Sequence, residues 1–205
     1  QLGKSCAITL RVPNPNIEWE MRKSLVEALQ GIPTAWDVAK GFYQSGFEAP
    51  IQEVILPFTT SAEELRRIDV YYRKFIVGQE SETLVDKGTV SDWVGEFFPK
   101  RIRVIPLFED LDQMVSCDSI VEEFLSEYEA PYQRVFLARS DPALNYGLVS
   151  AELMLKMALR RLYNLEGRLG IPFYPIIGVG AAPFRGHLNP TNVNRTFTEY
   201  PSAQT

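Results

Sequence analysis

Arg103-Val104-Ile105-Pro106-Leu107 is a short, β-branched run that is nearly continuous in apolar character after its first residue. Downstream, Ile120, Val121, Phe124, Leu125 and Tyr128 fall on one stripe of a helix over 118–128. A second run, Arg134-Val135-Phe136-Leu137, follows it. Strands whose side chains are apolar throughout, not alternating, are those buried on both faces, as in parallel sheets covered by helices. Strand, helix, strand in this order is the signature of an α/β fold.

The same alternation extends outward in both directions. Ala7-Ile8-Thr9-Leu10 and Glu53-Val54-Ile55-Leu56 read as earlier strands, and Tyr174-Pro175-Ile176-Ile177 as a later one. Residues 61–77 open on Ser61-Ala62-Glu63-Glu64, a capping-box pattern, and continue with Leu65, Ile68, Tyr72 and Phe75 at helical spacing. Residues 147–166 place Leu148, Ala151, Leu155, Ala158 and Leu162 on one face, and 17–30 and 34–43 read as two shorter helices. The polar stretch 79–92 reads as a surface loop with a short helix after it, near Trp93. An open doubly wound sheet and a closed barrel both fit this pattern. Gly178-Val179-Gly180 lacks the third glycine of a dinucleotide fingerprint and no helical pattern follows it directly. No Walker A sequence is present.

Composition narrows the function classes. The chain has 205 residues, of the size of one domain, and 45% of them are hydrophobic, enough for a sizeable core. A net charge of −5 argues against nucleic acid or an anionic membrane as a partner over the whole surface. Cys6 and Cys117 lie far apart without CxxC spacing, so neither a disulfide framework nor a zinc site is suggested. No run approaches the ~18 apolar residues of a membrane span, and the first residues do not form a signal peptide. Without such a signal, Asn194-Arg195-Thr196 reads as a chance sequon. These features suit a cytoplasmic protein. His187 is the sole histidine, which rules out three-histidine metal chemistry within this chain, and no nucleophile-elbow sequence supports a serine triad. The chain opens on Gln1 almost directly into a strand and closes on a polar run ending at Thr205, as an internal piece of a longer protein would.

Reactive side chains cluster just after the strands. Arg11 follows the first; Pro57, Thr59 and Thr60 follow the second; Glu109 ends the third; Arg139, Ser140 and Asp141 end the fourth. The fifth leads into Phe184-Arg185-Gly186-His187 and Asn189. Parallel α/β barrels build their sites from these C-terminal strand ends. If the strands before Glu109 and Asp141 are neighbours, their backbones lie about 4.8 Å apart, and the two carboxylates could share a hard cation such as Mg²⁺. Equally, each carboxylate could cap a helix or pair with an arginine, Asp141 before Pro142 especially. Arg185, beside a glycine, can approach an anion closely and bind it bidentately, or be a solvated surface arginine. His187 is as well suited to shaping its loop as to acid–base work.

Taken together, Pro106-Leu107-Phe108-Glu109, Ala138-Arg139-Ser140-Asp141-Pro142-Ala143-Leu144-Asn145-Tyr146-Gly147 and Gly178-Val179-Gly180-Ala181-Ala182-Pro183-Phe184-Arg185-Gly186-His187-Leu188-Asn189-Pro190 resemble the phosphoenolpyruvate carboxylase family, in particular its short archaeal-type branch. Arg11-Val12-Pro13-Asn14-Pro15 and Val54-Ile55-Leu56-Pro57-Phe58-Thr59-Thr60-Ser61 look like the same branch, so the resemblance runs through essentially the whole chain. It implies part of a (β/α)₈ barrel, about five βα units, with residues 1–205 forming a single partial catalytic domain and the remainder of the enzyme lying outside them. It also implies carboxylation of phosphoenolpyruvate by bicarbonate to oxaloacetate and phosphate, through carboxyphosphate and a pyruvate enolate, with Mg²⁺ or Mn²⁺. By resemblance Glu109 and Asp141 match the metal ligands and Arg185 the catalytic arginine. Arg11 matches an arginine that contacts substrate phosphate. Arg139 is a phosphate candidate by position, and Gly186 and His187 belong to the substrate loop. A homotetramer is the family's usual assembly.

The sequence departs from the family's longer bacterial and plant members at two places. A second arginine of their glycine loop falls on Val179, and a lysine three residues after the metal-binding aspartate falls on Leu144. The family's essential histidine lies before residue 1, so His187 does not take that role. Two rival readings remain: another metal-dependent enolate lyase on the same barrel, and a non-catalytic barrel scaffold.

Overall fold

A computed structural model describes residues 1–179 together with Thr191 and Asn194. Its contacts divide the chain into two compact units, one of Gln1–Leu56 with Glu64–Val104, the other of Pro57–Glu63 with residues from Ile105 onward.

The first unit holds β1 (Ile8–Arg11), α1 (Arg22–Tyr43), β2 (Ile51–Leu56), most of α2 (Ala62–Tyr71) and α3 (Val90–Val94). β1 and β2 are parallel, with Leu10 opposite Val54 and Arg11 opposite Ile55. Glu53 is buried on β2, where its carboxylate accepts from Thr9 Oγ1 at 3.3 Å and from Arg103 Nε at 3.1 Å. A buried carboxylate costs little when paired and hydrogen-bonded in this way.

The expected helices 17–30 and 34–43 are one helix, α1, with Pro33 inside it. Proline removes a backbone donor and disfavours the helix interior by about 3 kcal/mol. Leu25, Leu29, Ile32 and Ala39 lie on both sides of Pro33 and are all buried, so one continuous apolar face holds the helix together across the break. Residues 19–21 form only a 3₁₀ turn. The helix expected over 61–77 stops being α at Tyr71 and continues as a π-helical turn, Tyr72–Val77. Here Tyr72 is fully buried and donates its hydroxyl to Pro99 O at 2.8 Å. The 79–92 stretch contains two 3₁₀ turns, and the short helix is α3, opened by a Thr89–Asp92 capping box.

The second unit holds α4 (Leu111–Leu125), β4 (Gln133–Ala138), α5 (Ser140–Tyr146), α6 (Leu148–Leu169) and β5 (Phe173–Gly178), and most of β3 (Arg103–Phe108). β3 pairs with β4 and β4 with β5, all parallel, with Phe108 opposite Leu137 and Ala138 opposite Gly178. α4 and α6 pack together, and Cys117, Val121 and Phe124 on one helix and Leu155, Ala158 and Leu162 on the other are all buried. α4 begins seven residues earlier than its apolar stripe suggests, because Asp110 caps it by accepting the Leu111 N–H at 2.8 Å.

All five expected strands form, within one or two residues of the expected bounds. Each unit keeps its strands parallel and in chain order, without the reversal that defines a doubly wound sheet. The fold class is the expected one: α/β, built from βα units of the kind that make part of a (β/α)₈ barrel.

Candidate active site

The second unit brings together most of the described candidates. β3 and β4 are indeed neighbours, so the condition placed on Glu109 and Asp141 is met at the level of backbone. Glu109 directly follows β3 and is half-buried. Its Oε2 accepts the backbone N–H of Phe58 at 3.0 Å. Phe58 stands at φ 52°, in the left-handed region that bulky residues rarely occupy. Its neighbour Thr59 is fully buried; its N–H donates to Leu107 O at 3.1 Å, and its Oγ1 accepts the Leu107 N–H at 3.3 Å. The residues just after β2 are thus clamped to β3, and that clamp aims a backbone donor at the Glu109 carboxylate.

Asp141 is not a helix cap. The cap position of α5 is Arg139, and Asp141 lies in the first helical turn, followed by the buried Pro142 and Ala143. Proline is tolerated there because the first-turn N–H groups have no intrahelical partner anyway. The Asp141 side chain is exposed and has no hydrogen-bond or ion-pair partner among the described residues. The helix α5 itself had no signal in the periodicity, since seven residues are too few to show a stripe.

Arg139 is the largest fully buried side chain among the described residues, at 1% exposure. Its Nη1 meets Glu152 Oε2 on α6 at 3.2 Å, and its backbone N–H continues the ladder to Gly178 O at 2.8 Å. Phosphate contact by Arg139 would have to compete with Glu152. Arg11, in the first unit, is exposed and paired with Glu18 at 3.1 Å. Glu18 is itself held by the Asn14 N–H at 2.9 Å. Arg185, Gly186 and His187 lie outside the described residues.

One pair in this region escaped sequence reasoning. The hydroxyl of Tyr146, the last residue of α5, donates a hydrogen bond to Asp110 Oδ1. That bond, with the Leu111 N–H, holds the Asp110 carboxyl below its ordinary range, and the same bond pushes the Tyr146 hydroxyl up. The two residues are 36 positions apart and both exposed, so neither spacing nor hydropathy pointed to it.

Among the described residues no group of three or more His, Cys, Asp or Glu could hold a metal ion. Two hard oxygen donors at neighbouring strand ends, Glu109 and Asp141, suit a cation that takes one or two carboxylates and fills its other positions with water and substrate oxygens.

The family model for phosphoenolpyruvate carboxylase matches residues 1–205. A phosphoenolpyruvate carboxylase of Methanospirillum hungatei is 50% identical over 205 residues, covering 100% of this chain and 42% of the relative. One from Pyrococcus abyssi is 50% identical over 204 residues, with 43% of its length covered, and one from Methanothermobacter thermautotrophicus is 49% identical over 205 residues, with 42% covered. The chain therefore spans less than half the length of these curated relatives.

Proposed function

Because the chain belongs to the phosphoenolpyruvate carboxylase family, we propose that the protein carrying it carboxylates phosphoenolpyruvate with bicarbonate, giving oxaloacetate and phosphate. The observation that carries this reading is the family match over residues 1–205. In the reaction a bicarbonate oxygen attacks phosphorus and the bond from phosphorus to the enol oxygen breaks. Carboxyphosphate then yields carbon dioxide and phosphate, and the enolate carbon attacks the carbon dioxide.

Glu109 and Asp141 would hold Mg²⁺ or Mn²⁺, which when bound supplies Lewis-acid stabilisation of the negative charge that builds on oxygen. The Phe58 N–H fixes the direction of the Glu109 carboxylate, and Asp141 presents its carboxylate from the first turn of α5. Arg185 would offer a guanidinium to the phosphoryl oxygens, a preorganised positive partner whose interaction strengthens as charge moves onto them. Arg11 would add a phosphate contact by exchanging Glu18 for the substrate. Arg139, with Gly186 and His187, would complete the substrate side. The loop from Gly178 to Pro190 would exclude water, which otherwise destroys both carboxyphosphate and the enolate. Assembly as a homotetramer and a cytoplasmic location belong to the same reading. Cys6 and Cys117 are both free, and no helix among the described residues is long and apolar enough to cross a membrane.

The test is oxaloacetate formation by the complete protein from phosphoenolpyruvate and Mg²⁺, with and without bicarbonate. Bicarbonate-dependent product is expected, and Arg185→Lys should greatly reduce it with the fold intact. Turnover that ignores bicarbonate would point to another enolate lyase, and neither turnover nor metal binding to a scaffold.

A further inference from the structure

We propose that Tyr146 is a positioning residue for the Glu109–Asp141 pair, tying the segment that carries one carboxylate to the segment that carries the other. This deepens the reading of those two residues as metal ligands and rests on it.

Asp110 directly follows Glu109, and its Oδ1 takes two hydrogen bonds, from the Leu111 N–H at 2.8 Å and from the Tyr146 hydroxyl. Tyr146 closes α5, and Asp141 lies in the first turn of the same seven-residue helix. Gly147 then breaks the chain direction at φ 85° before α6 begins. A helix this short is not stable by itself, so its placement depends on the packing of its buried Pro142 and Ala143 and on what holds its ends. The N-terminal end is anchored where the Arg139 N–H meets Gly178 O at 2.8 Å. The C-terminal end is tied by Tyr146 to Asp110, one residue from Glu109.

A shared cation tolerates little error in the placement of its donors. Both partners in the bond are exposed, and Tyr146 remains 43% accessible, so the phenol adds little to the core. Its removal should therefore show in metal affinity far more than in stability.

The experiment is a Mn²⁺ titration of the complete protein, followed by electron paramagnetic resonance of the free ion, beside thermal unfolding. Tyr146→Phe, which keeps the ring and removes the hydroxyl, should weaken Mn²⁺ binding about tenfold, as loss of a partner that orients a ligand does, with the melting temperature nearly unchanged. Asp110→Ala should weaken it as well, and adding Tyr146→Phe to that variant should cost nothing more. Unchanged affinity in Tyr146→Phe, or fully additive losses in the double variant, overturns the positioning role. A lowered melting temperature with unchanged affinity overturns it too and makes the bond merely structural. If the wild-type protein takes up no Mn²⁺, or Glu109→Gln takes up as much as wild type, the ligand reading fails first and the role of Tyr146 with it.

Discussion

The backbone N–H of Phe58 donates to Oε2 of Glu109 across 3.0 Å, although the two residues stand 51 positions apart. The bond exists because Phe58 takes a left-handed conformation, φ 52°, while Thr59 beside it is bound to Leu107 through both its backbone and its side chain. The direction of the Glu109 carboxylate is thus set from the segment after β2 as well as from β3. Two buried hydrogen bonds hold a backbone that a phenylalanine would otherwise avoid.

Glu109→Gln separates charge from geometry. The amide oxygen still accepts from Phe58, so unfolding free energy should fall by no more than about 1 kcal/mol, while Mn²⁺ affinity falls at least tenfold. Glu109→Ala also strands the Phe58 N–H and should cost about 1–3 kcal/mol. Urea unfolding of the complete protein beside metal titration checks both, and equal stability of the two variants would show that the bond does not contribute.

Glu152→Ala should be more damaging than a surface carboxylate replacement. It leaves the Arg139 guanidinium, 1% exposed, without the carboxylate 3.2 Å from it. Breaking a buried pair on one side costs up to about 3–5 kcal/mol, and Glu152's own partial exposure should bring the loss nearer the low end. Arg139→Met/Glu152→Leu together should recover much of it. Chemical denaturation of the three proteins gives the comparison.

Gly178→Ala should strain the β4–β5 pairing. A Cβ there would clash with the Phe136 ring and stand 3.5 Å from Ala138 Cα, on the strand facing it. Overpacking of this kind costs about 1–3 kcal/mol. Phe136→Leu in the same protein should restore most of the stability by withdrawing the ring. Failure of that rescue would place the strain in the backbone instead.

The two thiols should behave oppositely. Cys6 is exposed and should react with a disulfide reagent at once. Cys117 is fully buried, and burial, with Asp118 beside it, pushes its thiol up to about 12, so it should react only as the protein opens. The unfolded chain releases this proton above about pH 8.5, whereas the folded one keeps it. Below that pH the thiol has no effect on the pH dependence of stability; above it stability falls as pH rises toward the folded value. Cys117→Ala should flatten that alkaline slope, as seen in unfolding curves between neutral pH and about pH 10.

The sequence alone determined the strands, because residues buried on both faces must be apolar throughout, and runs such as Val104–Leu107 and Val135–Leu137 have no other economical home. It also determined that Glu109 and Asp141 follow consecutive strands, since chain order and strand ends are local properties. Local pattern misled where long-range packing outweighed it. Pro33 divides α1 in the sequence but not in the fold, because buried Leu29 and Ile32 before it and buried Ala39 after it share one apolar face. Only the tertiary structure decided that Arg139 pairs with Glu152, that Phe58 turns left-handed to reach Glu109, and that Tyr146 meets Asp110. Each of these is a polar contact between different elements, 13 to 51 positions apart, and such hydrogen bonds leave no period in the sequence by which to find them.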